Sequence, residues 1–550
     1  MKRIFKVLFL CVCSLFIGSF VGQKIETNEI TTRIIKEAQI IFGLEFTDLE
    51  VDSVVSNLSN YRLNYEKMRR VQLDNNIAPV LIFNPLPDGF KVDKSESFFK
   101  PSIVKKVNFS KSIPDFAYMS IGELAYLIKS KTFSSVEITK YFIERIKRYD
   151  TKLQCIITVT EDLALKQAAK ADYEISKGKY RGLLHGIPYV AKDLLAVKNY
   201  KTTWGAVPYK NQVIDLDATV IKRLEAAGAI LCAKTTLGEL AMGDVWFGGK
   251  TKNPWDLNRG SSGSSAGSAS AVSAGLIPFA IGSETLGSIV SPSSECGTTG
   301  LRPTFGRVPR TGAMALSWSM DKLGPICRNV EDCAIVFNTI FGPDGYDQSV
   351  IEAAFEYDAN KGLKGLRIGY LQSEFNLKYL TQKQDSMTIL TLRKLGADLI
   401  PIELPHLLSN ELSFLLTVEA AAAFEELTLN GKDDLMVRQL KNAWPNSFRS
   451  ARFVPAVEYI QANRHRKLLI EELNKVLTNI DVYVSPSFGR NLTMTNLTGH
   501  PCIVLPNGMR AEGRPTSITF IGKLFGEGKL LQFAKAYQDA TEWNKIHPRL

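Results

Sequence analysis

The spacing of apolar residues predicts helices and strands in alternation along most of the chain. Helical spacing, with apolar residues three and four apart, predicts helices over 29–41, 161–177, 218–227, 456–477 and 528–541. Short apolar runs predict strands at 187–191, 229–233, 366–371, 399–404, 481–485 and 517–521. Helix-then-strand alternation of this kind indicates an α/β fold.

Two capping-box signals add helix starts. Thr47 with Glu50, and Ser134 with Glu137, have the spacing at which a hydroxyl and a carboxylate satisfy the first N–H groups of a helix. The first predicts a second helix in the N-terminal part, with a third over 61–71. The second predicts a helix that presents Ile138, Phe142, Ile146 and Tyr149 on one face.

The N-terminal part differs from the rest. Residues 23–113 are predicted to form a helical and loop extension that wraps around the main body. Prolines and glycines from 79 to 114 oppose regular structure there. Residues 114–550 contain no linker-like break and are predicted to form one large domain.

The first 22 residues have the layout of an export signal. Lys2, Arg3 and Lys6 precede an apolar run over 7–21, and polar sequence starts at Gln23. The run is shorter than the roughly 20 residues that span a bilayer, although an uncleaved membrane anchor stays open. We therefore expect a periplasmic or secreted protein with no stable membrane span once the signal is removed.

Charge and metal-ligand patterns exclude several classes of protein. The net charge of +11 comes from scattered Lys and Arg, and no helix-turn-helix, zinc-finger or RNA-binding aromatic pattern occurs. No nucleic acid partner is therefore expected. The 5 histidines and 8 cysteines show no metal-ligand spacing.

A stretch rich in small residues, 259–306, indicates the active site. It combines Ser, Gly, Ala and Thr with an apolar run at 276–281, which a flexible linker would lack. Such residues allow backbone N–H groups and hydroxyls to surround a reacting group. A second candidate is Lys192, which follows an apolar run. It is either a strand-end lysine, whose amine reaches solvent or pairs with Asp193, or a buried lysine whose lowered pKa makes it a base.

Two familiar motifs fit poorly. Residues 263–267 match the GxSxG pattern with Ser265 at its centre, but that elbow needs a preceding strand, which 253–258 does not predict. Residues 248–251 resemble part of a phosphate-binding loop, but Asp244 stands where its first glycine should be.

The chain resembles the amidase signature family over roughly residues 114–545. The matching blocks are LLHGIPYVAKD, NPWD, GSSAGSASAVSAGLIPFAIGSETLGSI and CGTTGLRPTFGRV, in the family's order. The resemblance implies a single α/β domain with a mixed central sheet wrapped by helices. It also implies amide C–N hydrolysis without metal or cofactor, on a small-molecule or peptide amide, and leaves open a homodimer.

Carried onto this sequence, the resemblance implies a triad. Ser288 would be the nucleophile, Ser264 the bridging serine on a cis peptide bond, and Lys192 the base. The resemblance places the oxyanion hole at the backbone N–H groups of residues 285–288, that is Thr285, Leu286, Gly287 and Ser288 itself. Ser265 would support the network by hydrogen bonding.

The chain departs from the family at three positions near the nucleophile. Glu284 replaces an aspartate, Leu286 a glycine and Val290 an arginine, so the identity of the substrate is open. We expect an exported amidase that acts alone. The alternatives are the A-type subunit of a glutamine amidotransferase, which supplies ammonia for tRNA-dependent transamidation, and a non-catalytic binding protein. The intact Lys192, Ser264 and Ser288 disfavour the binding protein.

Overall fold

A computed structural model describes residues 29–107 and 115–550. The chain divides into two compact units, Met1–Asp74 and Asn75–Leu550. The predicted export segment, residues 1–22, lies outside the described residues. In the described parts of the chain, every helix is too short or too polar to span a membrane.

The described residues of the N-terminal unit form two helices, α1 (Thr32–Phe42) and α2 (Asp48–Met68). The predicted capping box at Thr47 and Glu50 is confirmed, since each residue's side chain accepts from the other's backbone N–H. The prediction of a separate helix over 61–71 is wrong. Residues 61–68 continue α2, because no Gly or Pro interrupts the segment.

In the second unit, the helices are α3 (Ile121–Lys129), α4 (Ser135–Leu153), α5 (Glu161–Ser176), α6 (Thr219–Ala226), α7 (Ala266–Ser273), α8 (Val290–Cys296), α9 (Val330–Ile340), α10 (Gln372–Asn376), α11 (Gln382–Lys394), α12 (Phe414–Ala423), α13 (Glu425–Leu429), α14 (Trp444–Ala451), α15 (Ala456–Val476), α16 (Arg490–Thr498) and α17 (Glu527–Thr541). Single 3-10 turns occur at Val207–Tyr209, Glu239–Ala241, Asn410–Ser413, Lys432–Leu435 and Trp543–Lys545.

The strands are β1 (Phe98–Lys100), β2 (Ile156–Val159), β3 (Pro188–Lys192), β4 (Ile230–Thr235), β5 (Val245–Trp246), β6 (Gly249–Lys250), β7 (Lys252–Asn253), β8 (Asp256–Gly260), β9 (Phe279–Glu284), β10 (Thr299–Arg302), β11 (Lys322–Cys327), β12 (Glu356–Asp358), β13 (Ile368–Leu371), β14 (Leu399–Ile402), β15 (Val482–Pro486), β16 (Cys502–Met509) and β17 (Pro515–Gly522).

The described residues form one 11-stranded sheet in the order β14-β13-β15-β17-β16-β10-β11-β9-β3-β4-β2. Strand β3 runs parallel to β9 on one side and to β4 on the other, whereas β11 runs antiparallel to β9. The sheet is therefore mixed, and helices surround it, which confirms the predicted α/β architecture. Central strands such as β3, β4 and β9 are buried along their whole length, as expected of strands covered on both faces.

Helix α4 shows how a local signal becomes packing. The capping box at Ser134 and Glu137 is confirmed, and Ile138, Phe142 and Ile146 on the predicted face are buried. Tyr149 on the same face is only half-buried. The amphipathic pattern thus fixes which side of the helix joins the core.

Residues 75–107 are attached to the main body of the second unit. The side chain of Asn75 donates to Ala315 O at 2.9 Å, and Phe83 lies 3.5 Å from the Arg466 guanidinium, face on. The expectation of loop throughout 79–114 is wrong at β1, which pairs in parallel with β12. Strand β1 forms because its backbone pairs with β12, which is distant in sequence. Local composition gives no signal for such a partner.

Candidate active site

Lys192 ends β3, an interior strand that is third from one edge of the 11-stranded sheet. Because β3 is parallel to β4 and β9, their carboxyl ends meet at one edge, where α/β proteins bind ligands. The side chain is fully buried, and Nζ lies 2.7 Å from Ser264 Oγ, 2.9 Å from Ser283 Oγ and 3.1 Å from Ser265 Oγ. Among the described residues, no carboxylate lies within ion-pair distance of Nζ. Burial holds the pKa of Lys192 well below its usual value of 10.5, so the amine suits a neutral base.

The alternative in which Lys192 pairs with Asp193 does not hold. The carboxylate of Asp193 contacts Lys234 Nζ at 2.6 Å, and both side chains are fully buried. The same carboxylate accepts from the hydroxyl and the backbone N–H of Thr203. Asp193 therefore has its own partners, which leaves the Lys192 amine to the serines.

Ser264 and Ser265 lie on the turn between β8 and α7. The Gly263–Ser264 peptide bond is cis. A Cβ at Gly263 would lie 1.9 Å from Gly243 O, so only glycine allows this approach of two backbone segments. Small residues continue into α7, where every side chain is buried and a Cβ at Gly267 would lie 2.1 Å from Cys155 O.

Ser265 links the two serine segments. Its hydroxyl donates to Ser283 O at 3.0 Å and accepts from Ser283 N at 3.1 Å. Its backbone N–H donates to Ser288 O at 3.1 Å. These contacts are those expected of a supporting residue.

The strand preceding this turn corrects the sequence interpretation. Asp256–Gly260 forms β8, which pairs with β7 in a two-stranded hairpin outside the main sheet. Hydrogen bonding between the two backbone segments forms this strand despite its polar composition. A nucleophile elbow requires the serine turn to follow a strand of the main sheet, and this turn does not.

Ser288 lies on the short loop from β9 to α8. It is 8% exposed, against 1% for Ser264 and 0% for Lys192, so it is the most exposed residue of the three. In the described part of the chain, no hydrogen bond joins Ser288 Oγ to Ser264 Oγ. The structure thus places Lys192 and Ser264 in direct contact and brings Ser288 to the same site through the Ser265 N–H to Ser288 O bond.

The loop over residues 285–288 combines a positive φ angle with backbone N–H groups that are not used within the protein. Gly287 has φ +83°, in the region that favours glycine. Within the described residues, the backbone N–H groups of Leu286, Gly287 and Ser288 have no protein acceptor. The Leu286 side chain is half-buried against a core cluster that also contacts Leu492.

Glu284 holds the chain on both sides of this loop. Its carboxylate accepts from Ile289 N at 2.8 Å, Val290 N at 2.9 Å, Arg302 at 2.8 Å and Asn496 at 2.8 Å. Burial would raise the pKa of Glu284, but the charges of Arg302 and Lys322, together with the hydrogen bonds from Val290 N and Arg302, outweigh burial and lower the pKa to about 2. Glu284 is therefore an ionised carboxylate that fixes the start of α8, directly after Ser288.

Sequence reasoning missed three residues that contact the site. Ser283 lies within the small-residue stretch. Residues two apart in a strand share a face, so its position two residues before Thr285 is a signal that identifies it. Asp321 accepts from Thr285 Oγ1 at 2.6 Å, and Lys322 Nζ lies 3.4 Å from Thr285 O. Neither Asp321 nor Lys322 has a local signal, because β11 brings them to the loop from a distant part of the chain.

Comparisons with known proteins agree on one group. A family model described as Amidase matches residues 137–495. The A-type subunit of the glutamyl-tRNA(Gln) amidotransferase of Coxiella burnetii (strain Dugway 5J108-111) is 34% identical over 481 residues, covering 78% of this chain and 99% of that protein. Peptide amidase from Stenotrophomonas maltophilia superposes with a TM-score of 0.70 at 29% identity, covering 79% of this chain and 98% of that one. An amidase family protein from Bacillus anthracis str. Ames has a TM-score of 0.71 at 28% identity, covering 78% and 92%.

Proposed function

Because the chain belongs to the amidase signature family and is thereby an amide C–N hydrolase, we propose that it works through a serine acyl-enzyme. In this proposal Ser288 is the nucleophile, Ser264 the bridge and Lys192 the base. The observation that carries it is the buried 2.7 Å contact between Lys192 Nζ and Ser264 Oγ, with no carboxylate of the described residues within ion-pair distance of that amine.

The proton movements follow from these contacts. A serine hydroxyl is a weak nucleophile until a base takes its proton. Neutral Lys192 accepts the proton of Ser264 as Ser264 accepts that of Ser288, and Ser288 Oγ attacks the amide carbon. The same relay returns the proton to the leaving nitrogen as the C–N bond breaks. In the second half, water gives its proton to Ser264 as Ser264 gives its own to neutral Lys192, and the water oxygen attacks the acyl ester. The relay then returns the proton to Ser288 Oγ as the ester C–O bond breaks, which frees the acid and Ser288.

The oxyanion formed in each attack requires donors that are already in place. In the proposal the N–H groups of Thr285, Leu286, Gly287 and Ser288 supply them, and three of the four have no competing protein acceptor among the described residues. One such donor is worth on the order of 2.7–4 kcal/mol in the transition state. Ser265 maintains the geometry through its contacts with Ser283 and Ser288.

Labelling with a fluorophosphonate tests the nucleophile. Intact mass should show one adduct on the wild-type protein and none on Ser288→Ala. Ser268→Ala is the matched control, because Ser268 is a buried serine of α7 whose hydroxyl contacts Thr235 at 2.8 Å and not Lys192. An adduct that persists on Ser288→Ala, with peptide mapping to Ser264 or Ser265, would reject the assignment.

Whether the enzyme acts alone is a finer question with two answers. The stand-alone exported hydrolase rests on the charged and apolar layout of residues 1–22 and on the long extension before the family domain. The glutamine amidotransferase reading rests on the 34% identity to the A-type subunit, which is matched over 99% of its length. The comparisons favour this second reading over the stand-alone hydrolase.

One assay separates the two. Purified protein lacking residues 1–22 is offered acetamide, phenylacetamide, a C-terminal peptide amide and glutamine, with water as the only acceptor. Ammonia release from a simple or peptide amide supports the stand-alone hydrolase. Inertness across these amides, with glutamine hydrolysis appearing only when the other amidotransferase proteins and charged tRNA are added, supports the amidotransferase.

Export is tested on the native protein. N-terminal sequencing that begins near Gln23 supports a cleaved signal and a place outside the cytoplasm. A retained Met1 on protein in the soluble cytosolic fraction argues against export. A retained Met1 on membrane-bound protein supports the uncleaved anchor.

A further inference from the structure

A second buried lysine lies beside the loop that follows β9. Lys322 begins β11 and is the register partner of Glu284 across the β9–β11 pair. It is 3% exposed, and in the described part of the chain its amine makes a single polar contact, 3.4 Å from Thr285 O. Burial, aided by the nearby charge of Arg302, holds the pKa of Lys322 well below its usual 10.5. The carboxylates of Glu284 and Asp321 act in the opposite direction but do not outweigh burial. Removing an amine from water for one hydrogen bond is costly, and the proposed proton relay does not use this amine.

The position of that single contact is informative. The carbonyl of Thr285 and the N–H of Leu286 belong to the same peptide group. A donor on the carbonyl oxygen polarises the group and strengthens the N–H at its other end. The preceding residue, Asp321, accepts from Thr285 Oγ1 at 2.6 Å, so two consecutive residues of the chain hold Thr285 by its side chain and its carbonyl.

We infer that Lys322 is a positioning residue for amide cleavage, which polarises the Thr285–Leu286 peptide and so strengthens the Leu286 N–H toward the oxyanion. The inference rests on the proposed oxyanion role of residues 285–288. Lys322 touches neither substrate nor nucleophile and acts through the loop. A neutral amine is sufficient, since it retains N–H donors.

Four variants test the role. Lys322→Met and Lys322→Leu remove the donor and keep an apolar side chain, whereas Lys322→Gln keeps an N–H donor on a shorter arm. Leu323→Ala is the matched control, because Leu323 is the next residue of the same strand, is 3% exposed and lies in the hydrophobic core. Every rate is divided by the concentration of sites that the fluorophosphonate has labelled at the end point. This normalisation excludes unfolded protein from the comparison.

The expected effect follows from two magnitudes. A single oxyanion donor is worth roughly 10²–10³ in rate, and polarisation adds about 10–30% to a hydrogen bond, which together give roughly a two- to eightfold change. Lys322→Met and Lys322→Leu should slow fluorophosphonate labelling by this factor. They should also weaken the binding of benzyl trifluoromethyl ketone by the same factor, because its adduct with serine bears an oxyanion. The affinity for phenylacetic acid, which forms no such adduct, should not change. Lys322→Gln should show a smaller loss of labelling rate and ketone affinity than Lys322→Met.

Three results would overturn the inference. The first is wild-type labelling and ketone affinity in Lys322→Met or Lys322→Leu. The second is an equal loss of ketone and phenylacetic acid affinity, which indicates a general distortion of the site. The third is an equal loss in Leu323→Ala. Failure of the proposed function is read separately, because it would appear as labelling that persists on Ser288→Ala in an otherwise unaltered protein.

Discussion

The amine of Lys192 lies 2.9 Å from the hydroxyl of Ser283, near the end of β9, the strand that leads into the loop of residues 285–288. This contact ties the amine to β9, whereas its contacts with Ser264 and Ser265 tie it to the turn before α7. Ser283→Ala should lower kcat by about tenfold, the value of one buried hydrogen bond near 1.4 kcal/mol. Turnover per labelled site measures the effect, with Ser268→Ala as the control. An unchanged kcat would mean that Ser264 and Ser265 alone orient the amine.

Lys192 should act as a base and not as a fixed cation. Lys192→Ala is expected to fold and to lose at least about 10²-fold in rate, the low end for general-base catalysis. Lys192→Arg should be equally poor, because arginine stays protonated at accessible pH.

The pH dependence has a defined sign. The folded-state pKa of Lys192 is lowered, so the active neutral form gains population as pH rises through that value, and kcat/KM should rise and then level off. Near-normal turnover of Lys192→Arg, or a fall in kcat/KM over that rise, would contradict the role.

Glu284 should make stability depend on acid pH. Its pKa is lowered from 4.5 to about 2 in the folded protein. The contribution of ionised Glu284 to the free energy of unfolding is therefore present above pH 4.5 and is lost as the pH falls toward about 2. A shift of this size corresponds to about 3 kcal/mol. Urea unfolding at pH 7 should show Glu284→Gln less stable by roughly that order, with a smaller difference at pH 3. Exposed Glu352→Gln is the control, and an equal loss at both pH values would contradict the linkage.

Leu286 should limit the size of the acyl group. Its side chain is half-buried against the core cluster on which Leu492 also packs, and it lies two residues before Ser288 in the chain. Leu286→Gly should raise kcat/KM for bulky acyl amides relative to acetamide by about tenfold or more, as expected from removing several carbons from a pocket. Paired measurements of phenylacetamide and acetamide test this. A ratio that does not change would place the acyl pocket elsewhere.

The features that the sequence predicts well are those with local signals. The capping boxes at Thr47 and Ser134 begin helices as expected, because both partners of each box lie within one turn. The run before Lys192 predicts a strand, since uninterrupted apolar residues suit a strand buried on both faces. Candidate residues of the site came from the resemblance, and the structure brings Lys192, Ser264 and Ser265 into contact.

The features that local pattern does not predict depend on strand pairing across long stretches of chain. Asp321 and Lys322 reach Thr285 only because β11 pairs with β9. Strand β8 is a similar case, since its polar residues form a strand only through pairing with β7. Periodicity within a window of residues has no access to such partners.

Two contacts decide where the N-terminus of this protein can be truncated for expression. They are the pairing of β1 with β12 and the stacking of Phe83 on Arg466. A start at Asn75 keeps both contacts. A start at residue 115, where the family resemblance begins, removes the partner of β12 and leaves its backbone N–H and C=O groups without that cover. Unpaired strand edges recruit other chains, so the shorter product should enter inclusion bodies where the longer one is recovered in soluble form.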